Sequence, residues 1–335
     1  MPKFPLHALQ HSVYSQFQSD DKDVVVGSAF GEDVALTRVG DDLLASHLDP
    51  IEGAVQDIGW LAVHVACNDI ATCGARPRWI QLLVMVPRGD EIALLETIMG
   101  DVSRAAKEVG AVIIGGHTEY SDNLSRPLVA VTAFGLLEGK EPVLTSGAQP
   151  GDHILVTKGI PLEGTAILAH DFAEAARRLG LTDADLSEAK GLMKQVSVVA
   201  EALILADKGA SAMHDVTDGG LLETLREISY LSDVEIWVDY DKIPMPTVGE
   251  RFAEAFGFDP MRMISSGTLV AAVPANKLRY ASRALNEAGI HFADIGLVSD
   301  GEGVRIQRDR EVLEFLGVQP EEGELARMWE EYQPD

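Results

Sequence analysis

At 335 residues, 46% of them apolar, the chain is too long for one small domain and holds enough material for two packed cores. Lys and Arg number 27 against 53 Asp and Glu, a formal charge of −26, so nucleic acid and anionic membrane surfaces are disfavoured as partners by long-range repulsion. A nucleotide would have to be held locally, by backbone amides, a few basic side chains and a divalent cation bound to the acids.

The segment Met1-Pro2-Lys3-Phe4-Pro5-Leu6-His7 has no apolar core ahead of a cleavage site, and stretches such as 80–86 are too short to span a bilayer. A soluble cytoplasmic protein is the expectation. Periodicity then predicts short strands at 24–26, 34–38 and 43–48, and a helix over 57–73 with Asp57 as its cap and Gly74 and Pro77 as its stop. A strand at 79–86 follows, then a helix entered at Asp90 and ended at Gly110, and strands at 111–114 and 128–137. Cys67 and Cys73 fall in the first of these helices at a spacing that fits neither a zinc pair nor a redox pair, so they are expected as buried free thiols.

Between Gly139 and Gly151 the chain loses its periodicity in a run of prolines and glycines, which puts a domain crossing there: residues 1–140 form one unit and 150–335 the other. The second unit predicts a strand at 153–157, helices at 164–179 and 196–208, and a strand at 210–213. A polar loop over 214–220 leads into a helix to Leu231. Strands at 234–238, 268–273 and 291–297 enclose a helix at 276–288, and a solvated helix follows Pro320. Hairpin-like strand pairs mixed with helices favour an α+β fold in both halves over a doubly wound sheet.

Five clusters place Gly, Asp or His where a ligand could approach. Gly27 to Asp33 brackets a turn with Gly27 and Gly31 and supplies Asp33 as a hard oxygen donor; spacing alone favours a plain turn with a surface acid. Asp49 ends an apolar strand, with Pro50 pinning the exit, which a strand-terminating turn also explains. Asn68-Asp69 sits inside an apolar helix, where a buried carboxylate must be paired or metal-bound unless that face is solvated. Gly115-Gly116-His117-Thr118-Glu119 follows an apolar strand and reads as a glycine turn offering three polar contacts, or as a turn with a satisfied histidine. The run from His214 to Gly220, with Asp215, Thr217, Gly219 and Gly220, feeds a helix N-terminus where an anionic group could bind, although Thr217 or Asp218 could simply cap that helix. No P-loop, dinucleotide fingerprint or nucleophile elbow occurs, which leaves scattered carboxylates that could converge on Mg²⁺ ions bridging a triphosphate.

In chain order, GEDVAL, SHLDPIEG, DIGWLAVHVACNDIATCGARPRW, IIGGHTEY, GDHILVTKGIPLEGTAIL, HDVTDGGLLETLREI and ISSGTLVAAVP resemble the aminoimidazole ribonucleotide synthetase (PurM-like) superfamily, and within it the branch of the hydrogenase-maturation protein HypE. The resemblance implies a two-domain α+β architecture: an N-terminal α/β domain that forms a β-barrel with its copy in a homodimer, and a C-terminal α+β domain beside it. It implies ATP and Mg²⁺ in a cleft of the N-terminal domains, with Asp33, Asp49 and Asp69 as metal ligands and Asn68 beside the last. Gly115, Gly116, Thr118 and Glu119 match the turn near the phosphates, and Asp215, Thr217, Gly219 and Gly220 the loop facing the site. His117 stands where many members carry an acid, as it does in selenophosphate synthetases. The chain closes without the cysteine that bears the carbamoyl group in the hydrogenase-maturation protein, and it has no N-terminal cysteine for selenophosphate synthesis. The implied activity is transfer of the ATP γ-phosphoryl group to an oxygen of an amide, carboxamide or phosphate acceptor, small or peptide-borne. Two other readings remain: a non-catalytic nucleotide-binding scaffold or sensor, and a hydrogenase maturation factor working with a thiol on another chain.

Overall fold

The computed structural model describes residues 4, 6–17, 21–27, 30–52, 54, 56–89, 91–318, 323–332 and 334. Ser28 and Ala29 of the first glycine cluster, Gly53, the helix cap expected at Asp90 and the tail start at Pro320 lie outside the described residues.

In the first half, helix α1 (Leu6–Ser12) precedes β1 (Val24–Val26), β2 (Ala35–Val39), β3 (Asp42–Ile51), α2 (Ile58–Thr72), β4 (Arg76–Pro87), α3 (Glu91–Val109), β5 (Val112–Ser121) and β6 (Leu128–Leu136). The six strands form one sheet in the order β1-β2-β3-β6-β4-β5. Only the β4–β5 pair is parallel, joined by the crossover helix α3. The second half holds β7 (Asp152–Thr157), α4 (Glu163–Asp171), α5 (Ala173–Arg178), α6 (Asp183–Gly191), α7 (Val199–Lys208), β8 (Ala212–Asp215), α8 (Gly220–Ser232), β9 (Glu235–Asp239), α9 (Thr247–Phe256), β10 (Leu269–Pro274), α10 (Ala275–Glu287), β11 (Phe292–Ser299), β12 (Gly303–Arg308), β13 (Glu311–Phe315) and α11 (Glu324–Glu331). Its sheet runs β13-β12-β9-β11-β7-β10-β8.

Helix α2 joins the two halves. All fifteen of its residues are buried, because β3, β4 and β6 cover one side, α3 another, and α7 and β8 of the second half the remainder. One continuous apolar core therefore runs from Leu36 and Ile70 to Leu205 and Phe252. Burial on every face explains why the helix reads as apolar with no clean stripe. It also puts Asn68 and Asp69 out of water. Asn68 donates from Nδ2 to the Val196 carbonyl at 2.8 Å and accepts the Val198 amide at Oδ1, also at 2.8 Å, which bolts α2 to the segment entering α7. Asn68→Ala orphans both backbone groups, and a loss of about 2–4 kcal/mol in denaturant unfolding is the expected outcome.

Several sequence expectations shift. The predicted helix over 164–179 is two helices, α4 and α5, broken at Phe172. Asp57 occupies the N-cap of α2 without a capping bond and faces His170 at 3.6 Å instead. Pro50 does not end its strand: β3 continues to Ile51, so Asp49 lies within the strand, paired with Val131 of β6. The glycine turn expected at 115–119 is strand as well, the middle of the edge strand β5. Gly116, at φ +151°, lies against the Leu82 backbone where a Cβ would collide, so this glycine serves strand pairing, whereas Gly115 faces open space. Finally, α11 is amphipathic, not solvated throughout: Leu325 and Met328 are buried and the Trp329 ring meets Phe172 edge-on at 4.8 Å.

Candidate active site

Three secondary elements converge where the halves meet. Asp33 leads into β2, Asp69 projects from the last turn of α2, and His214 and Asp215 end β8, all of them buried. Asp33, Asp69 and His214 border a cavity of about 720 Å³ whose walls also include Gly31, His47, Asp49, Glu163, Thr217 and Glu227, and Asp215 lies behind them, fully buried.

His214 is the hub. Its Nδ1 donates to the Asp215 carbonyl at 2.7 Å and lies 3.2 Å from Asp33 Oδ1, while Nε2 lies 3.0 Å from Glu227 Oε2. Both ring nitrogens therefore need a proton. Burial opposes the charged ring, but Asp33, Glu227 and Asp215 outweigh it and lift the imidazole to about 10. Next to it, His47 donates from Nδ1 to the Asp33 carbonyl and turns Nε2 toward Asp69 Oδ2 at 3.5 Å.

One imidazolium does not neutralise the carboxylates around it. Burial, then Asp33, push Asp215 up to about 8, with His214 acting against them. Asp69 is raised well above the usual carboxylate range by burial first and then by Asp215, Asp33 and Asp49. Asp33 is raised by burial, with His214 as the main counterweight. Asp33 Oδ2, Asp69 Oδ2 and both Asp215 side-chain oxygens are buried with no hydrogen-bond partner among the described residues. Ligand atoms of Asp33, His214 and Asp215 all lie within 4.8 Å of one another. Orphaned hard oxygens this close suit Mg²⁺, whose charge would offset theirs.

The structure thus gathers Asp33, Asp69 and Asp215, and lines the same cavity with Gly31, Asp49 and Thr217. It separates the others from that cavity. Gly115, Gly116, His117, Thr118 and Glu119 are exposed on β5, where His117 and Glu119 contact each other at 3.2 Å. Asn68 is spent on the backbone of residues 196 and 198. Gly220, at φ +68°, has the Met261 carbonyl 2.5 Å from where a Cβ would sit; it serves close packing, and Gly219, at φ +91°, supplies the left-handed N-cap of α8. Gly27 lies beside Val24 and does not line the cavity. Sequence reasoning passed over Glu163, Glu227 and Ser266. Glu163 carried one signal, a lone acid in the apolar run from Ile160 to Ala169, and Glu227 another, an acid on the same helix face as Gly220 and Thr224.

Two family models match the chain in succession: the N-terminal domain of AIR synthase related protein over residues 31–137 and its C-terminal domain over 149–309. The chain belongs to the AIR synthase-related family. Among family relatives, a hydrogenase expression/formation protein of Methanocaldococcus jannaschii is 29% identical over 251 residues, 72% of this chain and 71% of that protein. The carbamoyl dehydratase HypE of Rhodobacter capsulatus is 31% identical over 228 residues, 67% of this chain and 64% of that one. A crystal structure of the hydrogenase maturation protein HypE in complex with ATP superposes with a TM-score of 0.69 at 24% identity, covering 90% of this chain and 91% of that chain. This AIR synthase-related chain therefore has the two-domain PurM-like fold and stands close to HypE.

Proposed function

We propose that the protein is an ATP- and Mg²⁺-dependent enzyme that transfers the γ-phosphoryl group of ATP to an oxygen of an amide, carboxamide or phosphate acceptor. One observation carries this reading: carboxylates of Asp33, Asp69 and Asp215 are buried together, with oxygens that make no well-formed hydrogen bond among the described residues. That arrangement is costly unless a cation completes it. Asp33, Asp69 and Asp215, with Asp49 on the same wall, would hold Mg²⁺, which when bound offsets charge on the β- and γ-phosphates. The chain's own work is positional. His214 holds Asp33 and Asp215 in place through Nδ1 and Glu227 through Nε2, and His47 ties β3 to the Asp33 backbone. Thr217, at the rim, offers a hydroxyl to the incoming acceptor. Residues 1–140 supply most of the metal side and residues 150–335 the acceptor side.

The relatives named carbamoyl dehydratase favour a carboxamide among the three acceptor classes. If the carboxamide is carried on sulfur, Cys67 and Cys73 do not carry it: both are buried, and burial pushes each thiol up to about 12. The same reading pairs two copies of the chain through β5, whose one sheet neighbour among the described residues is β4 and which exposes Val112, Ile113, Ile114 and Tyr120 along an open edge. Sedimentation at dimer mass is the expected result.

Calorimetry of ATP with and without Mg²⁺, followed by ADP release screened across carboxamide, thioamide and phosphate acceptors, tests the function. Mg²⁺-dependent ATP binding with acceptor-stimulated ADP release supports it. Binding with no turnover on any acceptor leaves the scaffold reading, and failure to bind Mg²⁺ and ATP removes the proposal.

A further inference from the structure

Within the same cavity, the second half contributes a polar pair that the metal cluster does not use. Glu163 opens α4 and is 2% exposed; its Oε2 accepts the Ser266 amide at 3.1 Å. Ser266 is 1% exposed, and its hydroxyl, facing the same cavity, makes no well-formed hydrogen bond among the described residues. The Ser266 amide fixes this carboxylate at the cavity wall, where a ligand can reach it. Its proton affinity suits exchange at neutral pH. Burial pushes Glu163 up to about 7, contacts with Ser266 pull it down, and Asp49 and Asp218 add to the rise. Among the described residues no cation is paired with it, and Asp49 and Asp218 line the same cavity, so a dianionic acceptor meets repulsion here that a neutral N–H donor does not.

We infer that Glu163 is the catalytic base of the acceptor half, taking the proton released by an amide nitrogen as its carbonyl oxygen is phosphorylated, with the Ser266 hydroxyl orienting the acceptor. This rests on the reading above. In the step, the bond from the acceptor oxygen to the γ-phosphorus forms as the bond from that phosphorus to the β,γ-bridging oxygen breaks and ADP leaves. The N–H electron pair becomes the second C–N bond, and the proton passes to the Glu163 carboxylate. The products are ADP, an O-phosphorylated imidate and protonated Glu163.

Glu163→Gln keeps an oxygen for the Ser266 amide and loses only the base. With the full chain, ATP and Mg²⁺, and formamide, acetamide or urea as the probe, wild type should release ADP faster than without the probe. Glu163→Gln should lose that stimulation by at least ~100-fold while binding Mg²⁺ and ATP within about twofold of wild type. Should Glu163→Gln not fold, Glu163→Asp, which draws the carboxylate back by one methylene, should show the loss in kcat with the KM for ATP unchanged. Full stimulation in the variant overturns the assignment, as does a wild type that binds Mg²⁺ and ATP yet responds to none of the three carboxamides. Absence of ATP binding in wild type is a separate result, which defeats the functional reading and this inference together.

Discussion

In Asp69→Asn, Mg²⁺-dependent ATP binding should fall by at least ~100-fold while the metal-free chain gains stability over wild type. The two effects have one cause. Asp69 sits in the last turn of a helix that is buried on every face, and its Oδ2 lacks a hydrogen-bond partner among the described residues. Its proton affinity is raised by burial, then by Asp215, Asp33 and Asp49, so ionising it costs free energy. An amide of the same shape removes that cost, and its NH₂ can donate to the neighbouring carboxylates. The gain is expected at about 1–3 kcal/mol and should grow with pH, as more of the wild-type Asp69 is forced to ionise. The same change takes a hard anionic oxygen from the cation. Calorimetry reads the first effect and denaturant melts in EDTA the second. Unchanged Mg²⁺-dependent binding would remove Asp69 from the ligand set; a less stable metal-free variant would show that its carboxylate was held by the protein.

The metal-side acids were legible because each breaks an apolar context: Asp33 before a strand, Asp49 within one, Asp69 inside an apolar helix. What the sequence could not convey is how these segments meet. Asn68 and Asp69 are adjacent, yet α2 turns one toward the backbone of Val196 and Val198 and the other toward β8, and on a helix without an apolar stripe no periodicity separates the two roles. Gly115-Gly116 misled for a related reason. Paired glycines after an apolar run suit a ligand turn and a close strand-to-strand approach equally, and the crossover through α3 that makes β5 a parallel neighbour of β4 is a tertiary fact. Glu163 escaped notice because a single acid at a helix start is ordinary, and only packing against the loop at 264–268 makes it a buried one. The two-domain α+β plan needed less, since the order of strands and helices fixes the class before any contact is known.

Without metal, the protein should lose several kcal/mol between pH 5 and pH 9, and Mg²⁺ should recover much of that loss. Three buried groups set the alkaline limb: Asp215 rises from 3.8 to about 8, Glu163 from 4.5 to about 7 and His214 from 6.5 to about 10. In each, the folded chain holds its proton more tightly than the unfolded chain does. Their stabilisation is therefore complete below the unfolded values and lost as pH climbs through the folded ones. Glu163 alone accounts for about 3 kcal/mol across its window. Asp215 and His214 titrate against each other and contribute less than separate groups would. His64 has the opposite sign. Burial, reinforced by Lys158, lowers it from 6.5 to about 4, so its contribution is present above the unfolded value and lost as pH falls through the folded one, which offsets part of the others' loss between about pH 4 and 6.5. Mg²⁺ binds the ionised carboxylates and not their protonated forms, so its effect should be small at pH 5.5 and about 3 kcal/mol at pH 8.5 when its concentration is about a hundredfold above Kd. Urea unfolding at pH 5.5, 7 and 8.5, in EDTA and in Mg²⁺, reads the loss and its recovery. A profile in EDTA that stays level from pH 6 to 9 would mean that the carboxylates of β8 and α2 are already neutralised by the protein itself and have no need of a cation.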